Sequence, residues 1–147
     1  MLPSTTKKVP YSTNKDVNTR IRENCLYELT GSDLKDDQAL TERIKKLNRE
    51  WDTERFLETN ASLIIFIGSL IGLLTMNFYW FLLPGFISFF LLQHALQGWC
   101  PPLPLIRRAG IRTAEEISNE KVVLKHLRGD FKQQFEDAGE ILRNAEK

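Results

Sequence analysis

The sequence predicts an all-α membrane protein in which a two-helix transmembrane hairpin is flanked by amphipathic cytoplasmic helices. Two observations support this fold class. The 147-residue chain has 20 basic and 19 acidic residues, yet the stretch 59–106 contains none of them. Apolar residues recur at helical spacing on both sides of that stretch. In a soluble domain, charged residues would alternate along the chain with the buried apolar ones, whereas a segment embedded in lipid excludes charged residues.

The balance of charge and the scarcity of metal-binding residues argue against several functional classes. A net charge of +1 does not fit a nucleic-acid-binding protein, which would be basic. Cys25 and Cys100 lie far apart and only two histidines are present, so we expect neither a disulfide framework nor a metal site. The sequence shows no Ser/His/Asp group, no phosphate-binding glycine loop and no paired carboxylates in an apolar setting. We therefore expect no enzyme activity and no cofactor.

The region before the apolar stretch is predicted to be a tail followed by two cytoplasmic amphipathic helices, which together occupy residues 14–58. Residues 1–13 are rich in Ser, Thr, Pro and Lys, and are predicted to be a disordered tail. Apolar residues at a spacing of four predict a helix over 14–30. They are Val17, Ile21, Cys25 and Leu29. A stripe with heptad spacing predicts a second helix over 36–58. Its members are Leu40, Ile44, Leu47 and Trp51.

The segment 59–100 is predicted to cross the membrane twice. One helix over this stretch would be about 60 Å long at 1.5 Å per residue, roughly twice the thickness of a hydrocarbon core. The polar residue Asn77 marks the turn and divides the segment into helices over about 60–76 and 78–98. Basic residues flank the segment on both sides and are missing from the turn. The positive-inside rule therefore places both termini in the cytoplasm. The alternative is a buried hairpin in a soluble protein.

Residues 101–147 are predicted to return to the cytoplasm as juxtamembrane and C-terminal helices. Three closely spaced prolines end the hairpin, and the chain is expected to reach water at residues 107–108. Thr113 and Glu116 have the form of a capping box, which predicts a helix starting there. Gly129 is expected to end that helix, and a further short amphipathic helix is expected near the C-terminus.

Small residues in the apolar segment predict close packing of helices. Gly68 and Gly72 form a GxxxG pattern, in which small residues four apart let two backbones approach. They are expected to pack against the second membrane helix or against another copy of the chain. Gly85, Ser88 and Pro84 are predicted to supply a matching face on the second helix. The alternative is that the pattern arises by chance, because membrane helices are rich in glycine.

Two residues near the end of the apolar segment are candidates for a chemical role. His94 is a polar membrane residue whose imidazole can relay protons or bind a metal or haem. The alternative is that it lies at the headgroup level, where water satisfies it. Cys100 is followed by the basic pair at 107–108, and nearby cations would favour a reactive thiolate. The alternative is that Cys100 is a small apolar residue at a helix end.

Three features of the second half suggest a family. They are two short apolar arms, the break near Asn77, and the exit Gly98-Trp-Cys-Pro-Pro-Leu103. With these features the chain, over roughly residues 38–131, resembles the YgaP-like transmembrane domain, a bacterial family of unknown function. The family has Gly, one variable residue and then Cys-Pro-Leu at this place, so Pro102 is an insertion here.

The resemblance implies a bacterial inner-membrane protein with two spanning helices, for which a dimer is one expected assembly. Some relatives carry a rhodanese sulfurtransferase domain, but residues 1–58 hold no rhodanese-type active-site loop. Sulfur transfer by this chain itself is therefore not implied, and Cys100 is the residue that would inherit a thiol role.

Three functional hypotheses follow, in order of preference. The first is a non-enzymatic membrane-anchored interaction protein, whose partners are the lipid bilayer and either another copy or another membrane protein. The second is a thiol protein in sulfur or redox handling that uses Cys100. The third is an oligomeric small transporter, with His94 among its few polar lining residues.

Overall fold

The computed structural model describes residues 3–31 and 36–131, and within these ranges the chain is helical and has no strand. The α-helices are α1 (Lys8–Tyr11), α2 (Lys15–Thr30), α3 (Asp37–Leu47), α4 (Thr53–Thr75), α5 (Leu82–Gln97), α6 (Leu103–Arg108) and α7 (Ala114–Arg128). A 3-10 helix, Phe78–Phe81, leads directly into α5. The prediction of an all-α protein is confirmed.

Two helical segments are long and apolar enough to cross a membrane. They are α4, with 23 residues, and the 20-residue segment Phe78–Gln97 that combines the 3-10 helix with α5. Most of their large apolar side chains point outward: Leu74 is 75% exposed and Phe86 is 64% exposed. Core helices of a soluble protein bury such side chains, whereas helices in lipid present them to the surrounding acyl chains.

The break between these segments lies at the predicted position. Met76 ends α4 in the left-handed conformation, with φ of 51°. The side chain of Asn77 accepts a hydrogen bond from the backbone N–H of Tyr79 and so caps the 3-10 helix. The polar residue in this apolar run therefore acts by ending one helix and starting the next.

Gly68 and Gly72 pack against the second apolar segment of the same chain. A Cβ atom on Gly68 would lie 3.3 Å from the ring of Pro84, and a Cβ on Gly72 would lie 3.0 Å from the ring of Phe81. The glycines thus allow a close approach of α4 to α5, as one of the two predicted arrangements requires.

The prediction that Gly85 and Ser88 supply the matching face is wrong. Both residues are exposed, and no described atom beyond the neighbouring backbone lies within 4 Å of a Cβ built on Gly85. The more buried stripe of α5 has the spacing three, four, three. Its members are Pro84, Ile87, Leu91 and His94. Gly85 and Ser88 each follow a member of this stripe by one residue, which places them about 100° away around the helix at 3.6 residues per turn.

The polar helices pack around two apolar clusters. One joins α3 to α7 and consists of Leu40, Ile44, Leu47, Ile117 and Leu124. The other lies where α1, α4 and α6 meet and consists of Val9, Leu57, Cys100, Leu103 and Ile106. We call the assembly of α1, α2, α3, α6 and α7 the head.

The prediction of a disordered tail over residues 1–13 does not hold for residues 3–13. These residues contain α1, and Val9 is only 2% exposed. The carbonyl carbon of Lys8 would lie 2.4 Å from a Cβ on Gly98, which has φ of 76°. Glycine is required at this position both by the close approach of α1 and by the backbone conformation. Composition alone misses such a segment, because burial of Val9 and the close contact of the Lys8 backbone with Gly98 hold it in place.

The helix predicted over 36–58 is divided by a break at residues 48–52. The side chain of Asp52 accepts a hydrogen bond from the backbone N–H of Arg55 and caps α4. Thr53 is 0% exposed and donates from both its backbone N–H and its hydroxyl to the carbonyl of Arg112, at 2.8 and 3.0 Å. The predicted boundary between residues 58 and 59 therefore lies inside one continuous helix that runs from the head into the apolar segment.

The region after the apolar helices differs from its prediction at Arg107. Gly98 ends α5, and Pro102 and Pro104 lie at the start of α6, where proline is tolerated. Arg107 is 0% exposed and does not reach water. The predicted capping box at Thr113 and the helix end at Gly129, with φ of 88°, are confirmed. The short helix predicted near the C-terminus lies outside the described residues.

Candidate functional site

The junction between the head and the apolar helices contains two unusual features: a layer of buried ion pairs and an apolar cavity. The ion pairs lie among α2, α3, α6 and α7. The cavity lies among α4, α5 and α6. The ion pairs hold the helices that close one end of the cavity.

Arg107 lies at the centre of the first ion-paired group. Its Nη1 and Nη2 atoms donate to the two carboxylate oxygens of Glu116, each at 2.7 Å. Nη2 also donates to the side-chain oxygen of Asn18 at 3.0 Å, and Nη1 donates to the carbonyl of Ile111 at 2.9 Å. One guanidinium therefore joins α6 to both α7 and α2, in the bidentate geometry that makes Arg–carboxylate pairs strong.

Arg112 and Glu120 form the second ion-paired group. The Nε atom of Arg112 donates to Glu50 at 2.8 Å, and its Nη1 atom donates to Glu120. Glu120 is 2% exposed and also accepts from Nε of Arg43 at 2.9 Å. The Sγ atom of Cys25 lies 3.6 Å from the same carboxylate. This group connects α3 and the loop after it to α7. Through the contact of Cys25 with Glu120 it also includes α2.

The guanidinium groups of this layer shift the pKa values of its two central carboxylates, Glu116 and Glu120. Burial raises the pKa of Glu116, but the hydrogen bonds from Arg107 and from the backbone of Thr113 outweigh it, so the net pKa lies below its ordinary value. Burial likewise opposes ionisation of Glu120, and the two arginines Arg112 and Arg43 bring its net pKa below the ordinary value. Both carboxylates are therefore ionised at neutral pH, and each offsets positive charge on the guanidinium groups that it contacts.

Sequence reasoning missed these groups, since no carboxylates were recognised in an apolar setting. A signal was nevertheless present. Ile117, Glu120 and Leu124 share the three-four spacing of one helix face, so a carboxylate interrupts an apolar stripe. A charge in that position needs a partner when the stripe is buried, and Arg112 supplies it from a turn that precedes the helix.

The cavity has a volume of about 510 Å³ and an almost entirely apolar lining. Its walls include Phe56, Asn60 and Ile64 from α4, and Phe86, Phe90 and His94 from α5. The loop at Cys100 and the first turns of α6 close the end nearest the head. At the other end the cavity reaches the outward-facing surface of the two apolar helices.

His94 is a buried polar residue in this apolar cavity. The residue is 5% exposed, and neither Nδ1 nor Nε2 of its imidazole has a hydrogen-bond partner among the described residues. The expectation that water at the headgroup level satisfies this imidazole therefore fails, because α1 and α6 cover the end of α5. In the described ranges, no group of three or more His, Cys, Asp or Glu residues is arranged to hold a metal ion.

Cys100 lies in the wall of the cavity but lacks the features of a reactive thiol. It is 4% exposed, and burial raises the pKa of its thiol despite a backbone hydrogen bond at Leu103. The expectation that the nearby arginines favour the thiolate is wrong, because Arg107 directs its guanidinium to Glu116 instead. Of the predicted site residues, the structure thus brings His94 and Cys100 to one cavity and places Gly68 and Gly72 in the packed helix contact.

Comparison of the chain with protein-family models, with curated proteins and with solved structures gives no significant match. The resemblance to the YgaP-like transmembrane domain therefore remains a prediction. Functional reasoning rests on the geometry of the chain itself.

Proposed function

We propose that this chain is an integral membrane protein that acts as a non-enzymatic anchor and interaction module. In this proposal α4 and Phe78–Gln97 form a transmembrane hairpin, and the head lies on the cytoplasmic side. The observation that supports it is the exposure of large apolar side chains along both segments, where Leu74 and Phe86, for example, are 75% and 64% exposed. Such a surface is unfavourable in water and favourable in a bilayer.

The connection between head and anchor supports a role in positioning. α4 begins inside the head, where Thr53 is hydrogen-bonded to Arg112, and continues without a break into the apolar segment. A rigid connection of this kind holds a binding surface at a constant height above the membrane. A flexible linker would suit a tethered enzyme better.

The head also has a surface suited to a protein partner. A groove of about 590 Å³ runs between α2 and α7. Apolar side chains of Leu26 and Val123 line it and are 50% and 42% exposed, and Arg22 and Glu115 contribute charges. A mixed apolar and charged groove is typical of protein interfaces rather than of the lipid-facing surface.

We further propose that the chain is related to the YgaP-like family, resides in a bacterial inner membrane and self-associates there. Gly68 is covered by α5 and Gly72 by the 3-10 helix, so contact between copies in the bilayer would use the outer face of the hairpin. Gly85 and Ser88 are small and exposed on that face, and small residues permit close helix contact.

Membrane topology is tested with single cysteines in a Cys25→Ser, Cys100→Ala background. A membrane-impermeant maleimide added to intact cells should label Met76→Cys, since Met76 is 86% exposed at the turn. It should label Glu23→Cys on α2 only after the membrane is opened. Labelling of both sites in intact cells, or extraction of the protein by alkaline carbonate, would exclude the proposed hairpin.

Self-association is tested by chemical cross-linking in native membranes, followed by the mass of the protein in mild detergent with and without reductant. The proposal expects a discrete oligomer that reductant does not dissociate. Leucine at both Gly85 and Ser88 should lower its yield, whereas the matched control Phe89→Leu, on the same exposed surface, should not. A monomer under all conditions would refute self-association and leave the anchor proposal intact.

A further inference from the structure

We propose that the cavity between α4, α5 and α6 binds a neutral lipophilic molecule with a planar, carbonyl-bearing ring and an apolar tail. This is the chemistry of an isoprenoid quinone. The carbonyl oxygen would accept a hydrogen bond from the imidazole of His94, and the ring would lie among the phenylalanine side chains of the cavity. The inference goes beyond the anchor role, and it depends on the membrane position of α4 and α5 for the route of the tail.

The unpartnered imidazole is the first reason to expect a ligand with a hydrogen-bonding group. A neutral imidazole presents one N–H donor and one acceptor nitrogen. In His94 both nitrogens are buried and lack a partner in the described part of the chain. A buried polar group in an apolar environment lowers stability unless it is hydrogen-bonded. Because neither nitrogen is accessible at the cavity surface, the imidazole of His94 would rotate toward the cavity and donate to a bound carbonyl, which would be the missing acceptor.

The charges around the cavity favour a ligand whose polar group is neutral over one whose polar group is ionised. Fields from both Lys8 and Glu54 reach His94, but these two side chains form an ion pair at 3.1 Å and so oppose each other. Among the lining residues, Asn60 and His94 bear side-chain nitrogen or oxygen atoms and none is Lys, Arg, Asp or Glu. A carboxylate or phosphate would lose its hydration without gaining a counter-charge.

The size and aromatic content of the cavity favour a planar ring. Phe56, Phe86 and Phe90 contribute rings to the walls, and Phe86 and Phe90 meet edge to face with centroids 4.8 Å apart. Aromatic faces favour offset stacking with a planar ligand. The volume of about 510 Å³ lies within the range usual for small-molecule sites.

The direction of the cavity provides a path for a tail. From His94 to Phe86 it follows α5 for about 12 Å at 1.5 Å per residue. At the far end, Ile64 and Phe86 are 44% and 64% exposed on the surface that faces lipid in our proposal. A ring held near His94 would therefore direct its tail between these side chains into the bilayer.

The test uses the full chain in phosphatidylcholine nanodiscs with a decyl-substituted benzoquinone as the probe. Binding is measured as saturable quenching of tryptophan fluorescence, corrected with protein-free discs for partitioning. His94→Phe, which removes the hydrogen bond and keeps a ring, should weaken the affinity about tenfold. His94→Gln, which retains a donor and an acceptor, should stay within about threefold of the unmodified protein. The matched control His126→Phe, at an exposed histidine, should bind as the unmodified protein does.

Two results of the binding test would overturn the inference: equal affinity in His94→Phe, or no saturable binding of the quinone. Palmitate serves as a second probe, and its binding in place of the quinone would assign the cavity to a fatty acid instead. Thermal unfolding without the probe provides a second readout. His94→Phe should unfold at the same or a higher temperature, because it removes an unpartnered buried polar group. A lower unfolding temperature would assign the imidazole a structural role and contradict the proposal. A failure to enter nanodiscs would instead contradict the membrane proposal.

Discussion

The pair formed by Arg107 and Glu116 should respond asymmetrically to loss of either partner. Arg107 is completely buried, whereas the side chain of Glu116 is 25% exposed. In Glu116→Leu the guanidinium loses both carboxylate contacts and cannot reach water. In Arg107→Met the remaining carboxylate is partly solvated and still accepts a hydrogen bond from the backbone N–H of Thr113 at 2.8 Å.

These environments allow the magnitudes to be estimated. Removing one partner from a buried ion pair costs about 3–5 kcal/mol when the remaining charge stays buried, which is the case for Glu116→Leu. Arg107→Met should cost about 1–3 kcal/mol, which is typical of lost hydrogen bonds to a charged group. The double variant replaces the pair with apolar groups, so it should be more stable than Glu116→Leu alone.

The assay is thermal unfolding of the purified protein in mild detergent, followed by circular dichroism. At about 2–4 °C per kcal/mol, Glu116→Leu should lower Tm by about 6–20 °C. A neighbouring pair offers a matched control: Glu115 contacts Lys7 at 2.7 Å, but the side chain of Lys7 is 54% exposed. Glu115→Leu should therefore cost less than about 1 kcal/mol.

A double variant no more stable than Glu116→Leu would refute this reasoning. Such a result would mean that the buried guanidinium carries no penalty when it is left alone. Equal losses in Glu116→Leu and Glu115→Leu would show that burial of the partner does not decide the outcome.

Three further predictions concern titration, packing and thiol reactivity. The pKa of Glu116 is lower in the folded protein than its ordinary value of 4.5. The stabilisation by its carboxylate is therefore present above about pH 4.5 and is lost as pH falls through the folded pKa. Acid should lower Tm, and Tm should fall less steeply with pH in Glu116→Gln. Gly72→Leu should destabilise the protein by about 1–3 kcal/mol through overpacking against the 3-10 helix, whereas Phe89→Leu, at a side chain that is 61% exposed, should stay within about 0.5 kcal/mol, as read from thermal unfolding. Iodoacetamide at neutral pH should modify Cys25, which is partly exposed, before it modifies the buried Cys100. Mass spectrometry follows both reactions, and faster reaction of Cys100 would favour the thiol hypothesis.

The two apolar helices were largely predictable because their signals are local. The uncharged stretch is a property of composition, and it leads to two apolar helices whatever the rest of the chain does. Asn77 ends one helix and begins the next through a hydrogen bond to a residue two positions away. The capping box at Thr113 and the glycine at position 129 act within four residues of themselves. Each of these features was visible as a short pattern.

The head was less predictable because its contacts join distant parts of the chain. Thr53 begins α4 against the carbonyl of Arg112, which is 59 residues away. Periodicity continued across this break, so the sequence suggested one helix where there are two. Val9 packs with residues from α4 and α6, and no compositional rule identifies a single valine in a polar segment as part of a core.

By itself, the sequence determined the all-helical class, the two apolar segments and the turn between them, since composition and spacing over a few residues control these. Only the tertiary structure decided which face of α5 meets α4, that Arg107 is buried against Glu116, and that His94 lies unpartnered in a cavity. The physical reason is that burial and pairing depend on which surfaces meet. The partners of Arg112, for example, include Glu50, which is 62 residues away, and only the folded chain brings them together.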